Sequence, residues 1–237
     1  MRHLSYVRLS SVHLSYVKDY RYAYAARLRH LRDGWDVAHF AAGEKAPVLL
    51  IPGVYETWQF LRPIAERLHE GGHPIHVLPA LGYNAQPIVD SARLGQEYLR
   101  AAELRGVIVV AHSKGGLIGK HMMVVDDLAD GERRIDRMIA ISTPFSGSPL
   151  SRVAPGRALR EFHPRKATIR FLHAARAANA RITSIYGQRD QYIPRGSRLE
   201  GAAENVVIPI IGHFAILADP GVIEAVAERV NDEHNLG

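Results

Sequence analysis

Ser113 stands where an apolar run, Val109-Val110-Ala111, passes through His112 and into Lys114-Gly115-Gly116. The run has the β-branched content of a buried strand and the residues after Gly115 take up helical spacing, so the serine falls on a strand-to-helix turn. Small residues at Ala111 and Gly115 let such a turn hold its serine in a strained backbone conformation without clashing with its neighbours. The hydroxyl then projects beyond the carboxyl end of the sheet, beside the amides and dipole of a helix N-terminus, which favour developing negative charge. That setting suits nucleophilic attack, provided that a base removes the hydroxyl proton. A second apolar run, Val48–Ile51, ends in Pro52-Gly53-Val54-Tyr55, where Gly53 permits a close backbone approach.

With its flanking strand and helix, Ala111-His112-Ser113-Lys114-Gly115 resembles the nucleophile elbow of the α/β-hydrolase family, in its lipase and esterase branch, and the likeness extends over roughly residues 46–232. The family pattern most often opens on glycine, and Ala111 takes that place here. The resemblance implies a base late in the chain, after a strand. His213 in Ile210-Ile211-Gly212-His213-Phe214 fits it, and His112 is expected to support the site instead. It also implies an acid between serine and base, to orient the imidazole and stabilise its cation. Asp190, in the loop Tyr186–Pro194, fits that role, whereas Asp126, Asp127 and Asp136 fall at the wrong end of the sheet and Asp219 follows the histidine.

By the same resemblance the oxyanion hole is made by the amides of Val54 and Lys114, with Pro52 standing where similar hydrolases carry histidine. Ser142-Thr143-Pro144-Phe145-Ser146-Gly147-Ser148-Pro149 looks like the segment that leads many lipases from the sheet into a lid. It suggests that Phe145, with Tyr55, Trp58 and Phe214, lines an acyl pocket. The Lys114 side chain is expected to lay its stem on apolar surface and keep its ammonium in water.

Short apolar runs alternating with helical stretches must position these residues. Strands are expected at Val48–Ile51, Ile75–Leu78, Val107–Ala111, Arg137–Ile141, Ile182–Tyr186 and Val206–Ile210, and helices near 57–70, 88–104, 115–129 and 220–232. This alternation predicts an α/β fold, a mostly parallel sheet with helices on both faces. Residues 143–180 fit no simple crossover and are expected to form a lid-like insertion after the sixth family strand. Residues 1–45 read as an N-terminal extension with a basic amphipathic helix from Tyr20 to Asp33, capped by Asp19 and stopped by Gly34, ahead of a hydrolase domain over 46–237. That helix is expected to lie on its own domain, with peripheral membrane contact as the lesser alternative. The pentapeptide His3–Val7 recurs as His13–Val17, too few copies for a solenoid.

Composition narrows the class further. The 237 residues carry 30 Lys+Arg against 24 Asp+Glu and are 47% hydrophobic, enough to bury one full core. The net charge of +6 is spread along the chain instead of gathered in a run, which argues against nucleic acid as a partner. There is no cysteine, hence no disulfide framework, thiolate nucleophile or Cys-type metal site. No stretch reaches the roughly 18 apolar residues of a membrane span, and Arg8, His13 and Lys18 break any signal-peptide core, so a cytoplasmic location is expected. The expected activity is hydrolysis of a small-molecule acyl ester through an acyl-enzyme on Ser113, with no metal or organic cofactor. An acyltransferase or thioesterase with the same triad and a non-catalytic ligand-binding member of the fold are the alternatives.

Overall fold

The computed structural model describes residues 9–34, 36–129, 133–152 and 156–232. The first described element is a long helix, α1 (Leu9–Asp33), ended by Gly34 at φ 61° with its amide on the His30 carbonyl at 2.8 Å. There follow β1 (Val48–Ile51), a 3-10 turn over Trp58–Leu61, α2 (Arg62–Glu70), β2 (Ile75–His76), α3 (Ile88–Ala101), β3 (Val107–His112), α4 (Lys114–Leu128) and β4 (Ile135–Ile141). The second half holds α5 (Arg157–Arg160), α6 (Ala167–Ala174), β5 (Ile182–Arg189), β6 (Glu204–Ile211) and α7 (Pro220–Asn231). The strands form one six-stranded sheet in the order β2-β1-β3-β4-β5-β6, and every neighbouring pair is parallel.

Strands buried on both faces explain the near-continuous apolar runs, because each residue of β1 and β3 has a helix above or below it. Leu49, Ile51, Val109 and Ala111 point to one core, closed by α3, α4 and α6; Val48, Leu50, Ile108 and Val110 point to the other, closed by α2, α7 and Ala26 of α1. The edge strand β6 alternates partly buried and exposed residues, and β2 is cut to two residues by the 3-10 turn that begins at Pro79. Asp219 accepts from the amides of Gly221 and Val222 and thereby starts α7.

Three expectations need correction. Helix α1 begins eleven residues earlier than Tyr20, so it takes in the second pentapeptide copy; the first copy lies outside the described residues. Asp19 is consequently a mid-helix residue, wholly buried, and caps nothing at the start of α1. Residues 143–180 are only in part a separate insertion: Ile169 and Leu172 of α6 and Phe162 belong to the core beneath the sheet, while Pro144, Ser148, Leu150, Ser151, Leu159 and Phe162 line the cavity over Ser113.

Candidate active site

The carboxyl ends of β1, β3, β5 and β6 bring together the residues that can react. Ser113, directly after β3, has φ 52° and ψ −118°, a conformation that costs an ordinary residue about 1–3 kcal/mol. Its amide donates to the Ile141 carbonyl at 2.9 Å, which locks the turn to β4. The turn also demands its glycines: a Cβ on Gly115 would lie 2.0 Å from the Ile51 carbonyl oxygen, and one on Gly116 would lie 2.0 Å from Thr143 Oγ1.

Ser113 Oγ lies 3.0 Å from His213 Nε2, and His213 Nδ1 lies 2.6 Å from Asp190 Oδ2. A carboxylate only accepts, so Nδ1 carries the proton and Nε2 is left to accept from the serine hydroxyl. Asp190 is oriented by an Asx turn, in which Oδ1 accepts from the amides of Tyr192 at 2.8 Å and Ile193 at 3.1 Å. Burial on its own would depress the His213 imidazolium. The Asp190 carboxylate, helped at longer range by Glu56 and Asp19, outweighs burial and raises the pKa above the usual histidine value.

A second histidine pair lies against the first. His112 and His213 have ring centroids 4.7 Å apart, and His112 Nδ1 meets Glu56 Oε2 at 2.8 Å with both side chains buried. His112 Nε2 donates to the His213 carbonyl at 2.9 Å, while Glu56 Oε2 accepts the Gly53 amide at 2.8 Å. This pair therefore joins the Gly53-Val54 loop to the backbone of the base. Glu56, His112 and His213 place potential ligand atoms within 4.8 Å of one another. All four ring nitrogens are engaged in hydrogen bonds, however, and an ion there would break one of the two pairs.

Asp19 reaches the same loop from α1, 194 residues away in sequence. Its Oδ1 accepts the amides of His213 at 2.9 Å, Phe214 at 2.6 Å and Ala215 at 2.7 Å, and its Oδ2 accepts Gln191 Nε2 at 2.6 Å. Gly212, at φ 132°, is required here, because a Cβ would sit 2.6 Å from Asp19 Oδ1.

Above Ser113 lies a cavity of about 630 Å³, lined by His213 and by mostly apolar side chains, among them Val54, Tyr55, Leu159, Phe162, Tyr192 and Phe214. Tyr55 and Phe214 thus stand where the sequence places them. Trp58 and Phe145 do not: Trp58 packs in the core edge-on to Phe40 at 5.8 Å, and Phe145 joins the opposite core, neither of them facing the cavity. Tyr20 and Arg27 of α1, with Phe162 and Tyr192, take their places, and no local motif marks them. Val54 lines the cavity together with Ser113, and Lys114 is the first residue of α4, directly after the serine. The Lys114 side chain is the other correction. Instead of reaching water it is fully buried, with Nζ donating to the carbonyls of Asn84, at 2.9 Å, and Gln86. Burial, partly offset by Glu161, pushes its ammonium down to about 8.

The likeness of this chain to known proteins lies in structure alone. No family model matches the sequence, and no curated protein matches it either. A lipase of Bacillus licheniformis in its mature form superposes with TM-score 0.60 at 13% identity, over 84% of this chain and 94% of that one. An α/β-hydrolase fold protein of Burkholderia ambifaria gives 0.57 at 19% identity, over 81% and 92%, and a monoacylglycerol lipase of Paleococcus ferrophilus gives 0.53 at 14%, over 80% and 96%. The chain has the α/β-hydrolase fold, and at these identities the comparison speaks for the fold alone.

Proposed function

We propose that this chain is a serine hydrolase that cleaves carboxylic esters with an apolar acyl group. The observation that carries the reading is the hydrogen-bonded series Ser113–His213–Asp190, set on a strained turn at the floor of a largely apolar cavity. Ser113 Oγ attacks the ester carbonyl carbon as its proton passes to His213 Nε2. The resulting oxyanion lies toward the amides of Val54 and Lys114. Collapse expels the alcohol, which takes the proton from His213, and leaves an acyl group on Ser113. Water, deprotonated by the same imidazole, then releases the carboxylic acid. No step calls for a metal or an organic cofactor. The two lipases among the similar structures and the aliphatic and aromatic cavity walls support an acyl ester over a peptide.

A fluorophosphonate probe tests the reading, since it labels only an activated serine. Wild type should be labelled and Ser113→Ala should not. Label found at Ser146 or Ser148, or no label at all, would overturn the assignment.

A further inference from the structure

Helix α1 has two faces of unlike purpose. Asp19, Tyr22 and Ala26 turn toward the domain, with the Tyr22 hydroxyl donating to the Phe60 carbonyl at 2.5 Å. The opposite face leaves Leu14, Val17, Tyr20, Tyr24, Leu28 and Leu31 exposed, Tyr24 by 65% and Leu31 by 76%. At 3.6 residues per turn these six fall on an arc of roughly 120°, a stripe about 25 Å long. Packing against the domain involves Tyr20, whose hydroxyl lies 2.9 Å from that of Tyr192, and leaves the rest of the stripe to solvent.

The exposed residues that flank the stripe are Lys18, Arg21, Arg27 and Arg32. Among the described residues from 14 to 33, no acid is exposed: Asp19 is buried, and Asp33 pairs with Arg32 and Arg62. Aliphatic and tyrosine side chains rimmed only by cations match the headgroup boundary of an anionic bilayer. A second copy of the chain is a poor match, because a two-fold contact on this face would set Lys18, Arg21 and Arg27 against their own copies, with Asp33 already paired to Arg32 and Arg62. The face also adjoins the cavity: Tyr20 and Arg27 line it with Ser113, as does Leu150, which is 45% exposed.

We infer that the outer face of α1 docks the protein on an anionic lipid surface, so that the cavity over Ser113 opens toward esters held in that surface. No helix among the described residues, α1 included, is long and apolar enough to cross a membrane, and the contact inferred for α1 is with the surface alone. The role for the cavity rests on the ester-hydrolase reading, whereas docking itself does not.

Co-sedimentation with vesicles tests it. Wild type should pellet with phosphatidylcholine vesicles that contain phosphatidylglycerol, less so at high salt, and far less with phosphatidylcholine alone. Y24S/L28S/L31S and, separately, K18E/R21E should each weaken binding at least about tenfold, with thermal melting and short-chain soluble ester turnover unchanged. Ser113→Ala should bind as wild type does, so a failure of the catalytic reading leaves this readout intact. Wild type that ignores anionic vesicles would overturn the proposal. So would a dimer in solution that Y24S/L28S/L31S turns into a monomer, which would assign the stripe to self-association.

Discussion

Two buried carboxylate–histidine pairs lie side by side in this molecule, and only one of them faces a nucleophile. Asp190 holds His213 Nδ1 at 2.6 Å, and Glu56 holds His112 Nδ1 at 2.8 Å. The side chains of all four are at most 6% exposed. Acid, ring and burial are thus common to both pairs. The difference lies at Nε2, which in His213 faces the Ser113 hydroxyl and in His112 faces a carbonyl oxygen. A hydroxyl can yield its proton to a base. A carbonyl can only accept, so His112 Nε2 donates to it and serves as a strut. The group opposite the second nitrogen, not the carboxylate behind the first, separates the proposed base from its support.

The sharpest break in that comparison is at the hydroxyl. Ser113→Ala should lower kcat/KM on a short soluble ester by at least about a thousandfold, and His213→Ala by a similar factor, because the two act as a unit. Melting temperatures close to wild type would show that the losses are chemical. Asp190→Asn should cost less than His213→Ala, about a hundredfold or more, since the ring survives in a poorer tautomer.

The pH profile separates the pairs further. His213 must be neutral to accept the serine proton, and its pKa is raised despite burial, so the acid limb of kcat/KM should lie above the ordinary value of about 6.5. Activity is full above that limb and falls as pH drops through it. Asp190→Asn removes the main support of the imidazolium and should move the limb down, while Glu56→Gln should move it in the same direction by less. A limb that stays in place in Asp190→Asn would show that the carboxylate does not govern the base.

His112→Ala leaves the Glu56 carboxylate buried without its partner, and a broken buried pair costs about 3–5 kcal/mol of stability. Turnover should fall only about tenfold, through a loosened Gly53-Val54 loop. In the double variant H112A/E56A the stability loss should be smaller than the sum of the two single losses, because no lone charge remains. Additive losses in urea unfolding would contradict the strut.

These pairs differ as much in how they can be read from sequence. Ser113, Asp190 and His213 each sit in a loop at a strand end, and the resemblance of the Ser113 turn to the α/β-hydrolase elbow, with the chain order it implies, points to all three. The sheet is equally legible, since runs such as Val107–Ala111 are too apolar for anything but a strand buried on both faces. Glu56 and Asp19 have no such marker, because their partners lie 56 and 194 residues away and exist only once the chain has folded. Asp19 looks like a helix cap because Ser10, Ser11 and Ser15 obscure the true start of α1. Trp58 and Phe145 look like cavity residues because they adjoin motifs. Proximity in sequence says nothing about which face of a turn a ring takes, and both rings fill core. Lys114 goes against the rule that ammonium groups seek water, because two carbonyls of the 84–86 turn solvate it inside.

The smallest effect tests the reach of α1 into the site. Asp19 Oδ1 accepts three consecutive amides, those of His213, Phe214 and Ala215, and so fixes the backbone from which the base projects. Asp19→Asn keeps the shape and one acceptor oxygen, but it removes the charge that strengthens those bonds and adds donors of its own. If the amide oxygen takes the Oδ1 position, the three backbone bonds persist in weaker form, and the new NH2 group faces Gln191 Nε2, donor against donor. A half-turn of the Gln191 amide would bring Oε1, which has no partner among the described residues, to the new donor and keep a weaker, neutral contact to the loop that carries Asp190. The expected loss is a few-fold in kcat with KM little changed, and the acid limb should shift slightly downward, since Asp19 is one of the carboxylates that raise the His213 pKa. Asp19→Ala removes the acceptor altogether and should cost about tenfold together with about 3 kcal/mol or more of stability, at about 1–3 kcal/mol for each of the three orphaned amides. Should Asp19→Ala melt lower yet keep the wild-type kcat and acid limb, α1 would be a brace for the fold alone. The positioning of His213 would then rest on His112 and β6.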